Sequence, residues 1–421
     1  MAITTTAERP VRFLGLRYDA ADSDGSARRL VLALRPEWEA EALQFVRFTD
    51  GITNTLLKAV RRRQGASEQG EDEDEDQDRE AILLRAYGPG TDVIIDRQRE
   101  AQNHELLMRH GLAPELLARF ENGMLYRFVR GAVTRPDDMR RPDVSLAIAR
   151  RLAQWHAIVP CVAGEEETGQ VDLPVALPDK LRPNLWTVMQ KWIRALPTAT
   201  DGQKQRRALL QRELATLAAD LGPRPGLGRD GLVFAHTDLL SGNVIVLPPK
   251  TTTTTTTTTT PPEVTFIDYE YAVPSPAAFD IANHFAEWGG FDCDMTALPT
   301  VSQRRSFIDE YVRTYALHVT NTTTTTTSTI TTPFDIPTES ARLQREVDLF
   351  RGLPGFYWGI WACIQATISD IDFDYASYAE TRLAEYWAWK AELDGSRVAS
   401  GAEMSLRERR WAQETDDAGH L

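Results

Sequence analysis

The sequence predicts an α+β chain in two lobes, a small, mostly β N-terminal lobe and a larger, mostly α C-terminal one. Three observations carry this. Short apolar runs stopped by glycine crowd the first third, apolar residues recur at helical spacing beyond residue 131, and 421 residues with 42% apolar content favour more than one core-sized unit. A strand-rich section followed by a helical one reads as two units of different class. The expected boundaries are 1–125 for the first lobe, 126–131 for the connection, 132–395 for the second lobe and 396–421 for a C-terminal tail.

Taken in order, the first section interrupts itself early. Gln64 to Asp78 contains seven carboxylates in the eight positions 71–78, which repel each other and cannot pack, so an acidic, disordered insertion is expected. Ala81 to Tyr87 reads as a strand stopped by Gly88-Pro89-Gly90, and Asp92 to Asp96 holds a short apolar run. Glu100 to His110 reads as a helix stopped by Gly111, and Leu125 to Val129 as a strand ended by Gly131.

Beyond the connection, Asp143 is placed to cap a helix whose apolar residues Val144, Ile148, Leu152, Trp155 and Val159 are spaced four, four, three and four apart. Lys204 to Leu221 repeats the period through Leu210, Leu214, Leu217 and Leu221. Later helices are expected over Phe356 to Ile368 and Tyr375 to Leu393. Two Thr-rich stretches, 251–260 and 322–332, offer no patterned apolar face and read as loop insertions.

The bulk numbers exclude several classes. A formal net charge of −14 argues against sequence-independent binding to nucleic acid. Three widely spaced cysteines, Cys161, Cys293 and Cys363, give neither a disulfide framework nor a zinc pattern and fit a reducing compartment. No apolar run approaches the roughly 18–20 residues that cross a bilayer, so no stable membrane insertion is expected. Met1 to Pro10 lacks an apolar signal core, and the expectation is a cytoplasmic protein.

The stretch Val233 to Val246, VFAHTDLLSGNVIV, sets two apolar runs around His236, Asp238 and Asn243. His-x-Asp followed five residues later by Asn is the spacing of a phosphotransferase catalytic loop. An acceptor carboxylate must sit beside the attacking hydroxyl, while an amide oxygen a loop-width away reaches a metal on the phosphates. Twenty-five residues on, VTFIDYEY ends an apolar strand in Asp268, placed to ligate Mg²⁺ across the β- and γ-phosphates of ATP. A hairpin of Asn243–Leu247 with Val264–Asp268 would bring Asn243 and Asp268 together, leaving the ten-threonine tract at its tip, where added length costs little. A metal hydrolase using His236, Asp238, Asp280 and His284 is the competing reading; Asp280 and His284, four apart on a helix, are equally an ordinary packing pair.

On these motifs the chain resembles the choline/ethanolamine kinase family, within the protein-kinase-like fold, from about Phe48 to Ala391. The resemblance extends to FTDGITN (48–54), LLRAYG (83–88), IIDRQRE (94–100), GLAPELLARFENG (111–123), FIDYEYAVPSPAAFDIANHFAEW (266–288) and WGIWACIQATISDIDFDYASYA (358–379). It implies that residues 1–125 form the nucleotide-binding lobe and 132–395 the catalytic and substrate lobe. It makes Asp238 the base that orients the substrate hydroxyl, and Asn243 and Asp268 the magnesium ligands. Arg85 stands where protein kinases have lysine, with Glu100 as its ion-pair partner and two directed bonds to offer phosphate. Asp50, Gly51 and Asn54 fall in the phosphate-covering turn, which lacks the usual three glycines. Phe128 and Val129 match the segment whose backbone meets adenine, while Asp280 supports the catalytic loop and His236 orients it.

The same resemblance places Trp358, Trp361, Tyr378 and the acidic Glu287 around the substrate's cationic end; without it, each aromatic reads equally well as core. Aromatic faces attract any ammonium by roughly 0.5–2 kcal/mol, and a primary ammonium adds three N–H donors that reward a carboxylate. Choline kinases carry glutamine two residues after the catalytic aspartate; here that position is Leu240. The implied reaction is ATP- and Mg²⁺-dependent phosphorylation of ethanolamine, first on the CDP-ethanolamine route to phosphatidylethanolamine. Choline or dual activity, an aminoglycoside-type phosphotransferase and an inactive kinase-fold scaffold stay open as alternatives, and a homodimer is compatible with the sequence.

Overall fold

The computed structural model describes residues 11–48, 54–62, 78–88, 90–161, 183–228, 231–249, 261–323, 334–369 and 371–415. Asp50 and Gly51, residues 64–77 of the acidic insertion, the tract 251–260 and residues 324–332 lie outside the described residues. The chain divides into two compact units, Met1–Asp92 with Arg97–Arg130, and Val93–Asp96 with Gly131–Leu421.

The first unit is built on a six-stranded sheet. Its strands are β1 (Arg12–Leu14), β2 (Leu43–Phe48), β3 (Asn54–Arg61), β4 (Ile82–Tyr87), β5 (Leu116–Phe120) and β6 (Gly123–Arg127), in the order β1-β5-β6-β4-β3-β2. The period of two in a strand divides its faces. Ile82, Leu84 and Ala86 of β4 join Leu57, Ala59 and Leu125 against Leu30 and Val31 of helix α1 (Ser23–Leu34). Arg85 points the other way, opposite Met124 in the register with β6. That face packs on helix α2 (Arg97–Arg109) through Ala101, Leu116 and Met124. The apolar run at 92–96 forms no strand: Thr91–Val93 is a turn of 3₁₀ helix, and the helix expected from Glu100 starts at Arg97.

The second unit opens with β7 (Ala132–Val133), α3 (Pro136–Met139), α4 (Pro142–Ile158), α5 (Leu185–Ala195) and α6 (Asp201–Leu221). Asp143 does not cap α4. Arg141 takes the N-cap position, Pro142 opens the helix, and Asp143 in the first turn pairs with Arg141 at 2.9 Å. Short strands β8 (Val233–Ala235), β9 (Val244–Val246), β10 (Val264–Phe266) and β11 (Val273–Ser275) follow, with β10 antiparallel to β9 and β11 to β8. The chain continues through α7 (Ala277–Ala286), α8 (Val301–Thr323), α9 (Ile336–Phe350), α10 (Leu353–Ile368), α11 (Tyr375–Leu393), α12 (Ser396–Ser400) and α13 (Leu406–Ala412).

Helix α8 carries through Thr322 and Thr323, so the second Thr-rich stretch begins inside a helix rather than after it. Threonine is a poor helix former but not a breaker. Residues 396–415, expected as a tail, carry α12 and α13, and Trp411 is buried. Among the described residues no helix is long and apolar enough to cross a membrane.

Candidate active site

Strand β8 delivers His236, Thr237 and Asp238 into a loop that no ordinary backbone would adopt. Thr237 has φ of +62°, a region that disfavours a β-branched residue. The conformation is held from several sides. Both oxygens of the fully buried Asp280, on α7, accept backbone N–H groups, from His236 at 2.9 Å and Thr237 at 2.7 Å. Thr237 Oγ1 donates to the Tyr271 carbonyl at 2.8 Å, and Asn283 Nδ2 donates to the Thr237 carbonyl at 2.9 Å. His156 Nε2 bonds the same Asp280 at 2.9 Å from α4. Burial alone would raise the Asp280 carboxyl; the hydrogen bond and charge of His156, with the backbone donors, hold it below the usual range.

His236 is fully buried and its Nε2 bonds the Ile267 carbonyl at 3.0 Å, joining the loop to the strand that bears Asp268. Desolvation drives its pKa down to about 4, so the ring is neutral near pH 7. His284 is likewise pushed to about 4 by burial, with Nδ1 on the Leu239 carbonyl at 2.9 Å and Nε2 accepting from Trp288 at 3.4 Å. Three members of the competing metal set, His236, Asp280 and His284, are therefore tied into loop support, and among the described residues no group of three His, Cys, Asp or Glu is arranged to hold a metal.

The 243–268 hairpin forms as expected. Val246 pairs with Val264 and Val244 with Phe266, while Ile267 N–H donates to the Asn243 carbonyl at 3.0 Å. Asp268 follows immediately with φ of +59°. Asn243 Nδ2 donates to the Asp238 carbonyl at 2.7 Å and to Asp238 Oδ2 at 3.2 Å. With its nitrogen fixed there, the amide oxygen is turned elsewhere. Burial pushes the Asp238 carboxyl well up, and the charges of Asp268, Glu287 and Glu270 add to that, while Asn243 opposes it. An amide oxygen and a carboxylate in a field of crowded negative charge are the hard oxygen donors that magnesium takes, so the residues fit such an ion.

Behind the loop stands an aromatic wall from α10. Trp358 Nε1 donates to Asn283 Oδ1 at 2.9 Å, and Trp361 Nε1 donates to the Tyr271 hydroxyl at 2.9 Å. Asn283 and Tyr271 are the same residues that hold Thr237, so both tryptophans are strapped to the 236–238 loop. The rings of Trp358 and Trp361 meet edge to face at 5.5 Å, Trp361 meets Tyr375 at 5.7 Å, and Phe373 links Tyr375 (4.8 Å) to Tyr378 (5.6 Å). Glu287 is buried and pairs with Arg382 of α11 at 3.2 Å.

In the first unit, Arg85 Nε lies 3.1 Å from Glu100 Oε1, with both side chains buried. Glu100 Oε2 also pairs with Arg97 at 2.9 Å. Asn54 opens β3 opposite Tyr87. The Phe128 amide donates to the Ala81 carbonyl at 3.0 Å and is thereby committed to its own unit, while its ring stacks on Phe48 at 6.2 Å beneath the Lys58 ammonium at 4.2 Å. Sequence reasoning missed His156, Tyr271, Asn283, Arg97 and Arg382. Asn283, Tyr271 and Arg97 lie inside quoted motifs and were within reach, Arg97 three residues before Glu100 on one helix; His156 and Arg382 have no spacing signal.

A family model described as choline/ethanolamine kinase matches residues 45–387. The chain is 32% identical over 390 residues to a probable ethanolamine kinase of Nematostella vectensis, spanning 90% of this chain and 96% of that one. It is 31% identical over 384 residues to ethanolamine kinase 2 of Homo sapiens, spanning 91% and 85%. Among solved structures, an ethanolamine kinase of Plasmodium vivax matches with a TM-score of 0.63 at 23% identity, over 87% of this chain and 89% of that one. The α+β, protein-kinase-like fold expected from the sequence is thereby borne out.

Proposed function

We propose that this chain, which belongs to the choline/ethanolamine kinase family, transfers the γ-phosphoryl group of ATP to the hydroxyl of ethanolamine in the cytoplasm. The observation that carries the reading is the Asp238 carboxylate, pinned by Asn243 and backed by a loop whose supports also hold Trp358 and Trp361. One construction thus couples a proton acceptor to an aromatic wall suited to a cation.

In this reading the aromatic wall and Glu287 take the ammonium, and the hydroxyl lies against Asp238. Asp238 accepts the hydroxyl proton as the substrate oxygen bonds to the γ-phosphorus and the bond to the β-phosphate oxygen breaks, releasing ADP. Burial and neighbouring charge raise the basicity of Asp238, which favours that acceptance. Asn243 and Asp268 would hold Mg²⁺, which supplies charge neutralisation on the phosphates. On the first unit, Arg85 held by Glu100 binds phosphate oxygens, the family resemblance assigns Asp50, Gly51 and Asn54 to the phosphates, and adenine meets the backbone of Val129 and the carbonyl of Phe128, whose amide is already bonded to Ala81. Ethanolamine is favoured over choline by Leu240 in place of glutamine and by relatives named as ethanolamine kinases.

A coupled assay of ADP release with ethanolamine, choline and their N-methylated intermediates tests this directly. Ethanolamine should give the highest kcat/KM, with phosphoethanolamine as product, and Asp238→Ala should lower kcat by about 10²–10⁴. Preference for choline would reassign the substrate; near-normal turnover of Asp238→Ala would remove the base.

A further inference from the structure

Glu287 belongs to a longer array. Its Oε1 lies 3.2 Å from Arg382 Nη2, and Arg382 Nε lies 3.5 Å from Glu385 Oε1. The other oxygen of Glu385 lies 3.5 Å from Arg407 Nε on α13. Arg407 Nη1 then meets Glu408 at 2.7 Å, and Glu408 meets Arg351 at 2.8 Å. Five of these six side chains are less than a tenth exposed, and the charges alternate along the whole ladder. Its near end touches two residues assigned to the amine, since Arg382 Nη1 also donates to the Tyr378 hydroxyl at 3.4 Å. Its two α13 members, Arg407 and Glu408, lie outside the 45–387 stretch matched by the family model, while Arg351 at the far end lies within it.

Helix α13 is firmly anchored. Arg410 Nε donates to the Leu298 carbonyl at 2.7 Å, Trp411 Nε1 donates to Asp348 at 2.8 Å, and the Arg304 guanidinium lies over the Trp411 ring at 3.9 Å. The Trp411 ring also meets Phe285 at 6.4 Å, two residues before Glu287.

We propose that α13, through Arg407, Glu385 and Arg382, positions Glu287 and Tyr378 and so sets how tightly the enzyme holds a primary ammonium. The inference rests on the reading that these two residues face the amine. Arg382 is shared between two carboxylates, and Arg407 balances the far one. Without Arg407, Glu385 draws Arg382 toward itself and leaves Glu287 less paired in a buried setting. There an ionised, uncompensated carboxylate is costly. A displaced or protonated Glu287 is a poorer acceptor for N–H donors, while the aromatic attraction for a quaternary ammonium is kept. Arg407 is thus a positioning residue, and its loss should weaken binding of ethanolamine more than of choline.

The test is steady-state kinetics of the full chain and of Arg407→Gln, Arg407→Met and Arg407→Lys, varying ethanolamine, choline and ATP separately. Arg407→Met should raise the KM for ethanolamine about tenfold, lower the ethanolamine-to-choline ratio of kcat/KM severalfold, and leave kcat and the KM for ATP within about twofold. Arg407→Gln, which keeps donors and similar bulk should the Met variant fail to fold, should show the same direction. Arg407→Lys, which keeps the charge, should recover most of the loss. An unchanged KM for ethanolamine in both neutral variants overturns the inference alone. So does a proportional loss against all three substrates, which marks a purely structural role. A wild-type chain that turns over neither amine overturns the activity itself, and the inference with it.

Discussion

Thr237 is where backbone strain and chemistry meet. A β-branched residue at φ of +62° costs on the order of 1–3 kcal/mol, and it stands directly before Asp238, the proposed base. Asp280 is the main restraint, because its two oxygens accept the consecutive N–H groups of His236 and Thr237. Asp280→Asn replaces one acceptor by a donor and leaves a buried N–H or His156 facing it. That substitution should cost about 1–3 kcal/mol of stability and lower kcat at least tenfold through the displaced Asp238. Calorimetric melting with kinetics checks both, and unchanged values in the two measurements would show that the loop holds itself. At this scale Asp238, Asn243 and Asp268 were legible because their spacing is local. Arg382 was not, since its pairing with Glu287 spans 95 positions and leaves no trace in either segment.

Helices α10 and α11 approach closely because glycine permits it. A Cβ at Gly355 would lie 2.5 Å from the Arg382 carbonyl oxygen, which as backbone cannot step aside. A Cβ at Gly359 would press on the Leu383 side chain, at 2.7 Å from its Cγ, with the Leu383 backbone nitrogen at an ordinary 3.4 Å, and that side chain can rotate. Gly355→Ala should therefore be the worse substitution, at about 1–3 kcal/mol by overpacking, and should raise the KM for ethanolamine by moving Arg382 away from Glu287. Gly359→Ala should lose less than about 1 kcal/mol and keep its KM. Melting temperatures in the reverse order would mean that the helix pair yields as a rigid body. Both helices were expected from the sequence, whereas α7 showed there only as the four-residue spacing of Asp280 and His284. All ten of its residues are buried, so it has no polar face for a period to contrast with.

Across the whole molecule, three buried histidines, His104, His236 and His284, are each held near pKa 4 by desolvation. A histidine that is neutral in the fold but titrates at 6.5 when unfolded binds more protons unfolded, so its stability contribution is complete above 6.5 and is lost as pH falls toward 4. Asp238 and Glu287, whose carboxyls burial raises, act with the opposite sign over part of this range. The wild-type profile is thus a sum of opposed contributions, and a single replacement separates them. His104 is the clean choice, lying in the first unit with Nε2 on the Pro114 carbonyl at 2.9 Å. His104→Gln keeps an N–H donor for that carbonyl and cannot titrate. Relative to wild type, its stability should therefore improve by up to about 1.4 kcal/mol per pH unit as pH falls from 6.5 to 4. The two should run parallel above pH 7. Thermal melts of both proteins across that range measure the difference, and parallel curves throughout would mean that His104 is protonated in the folded chain.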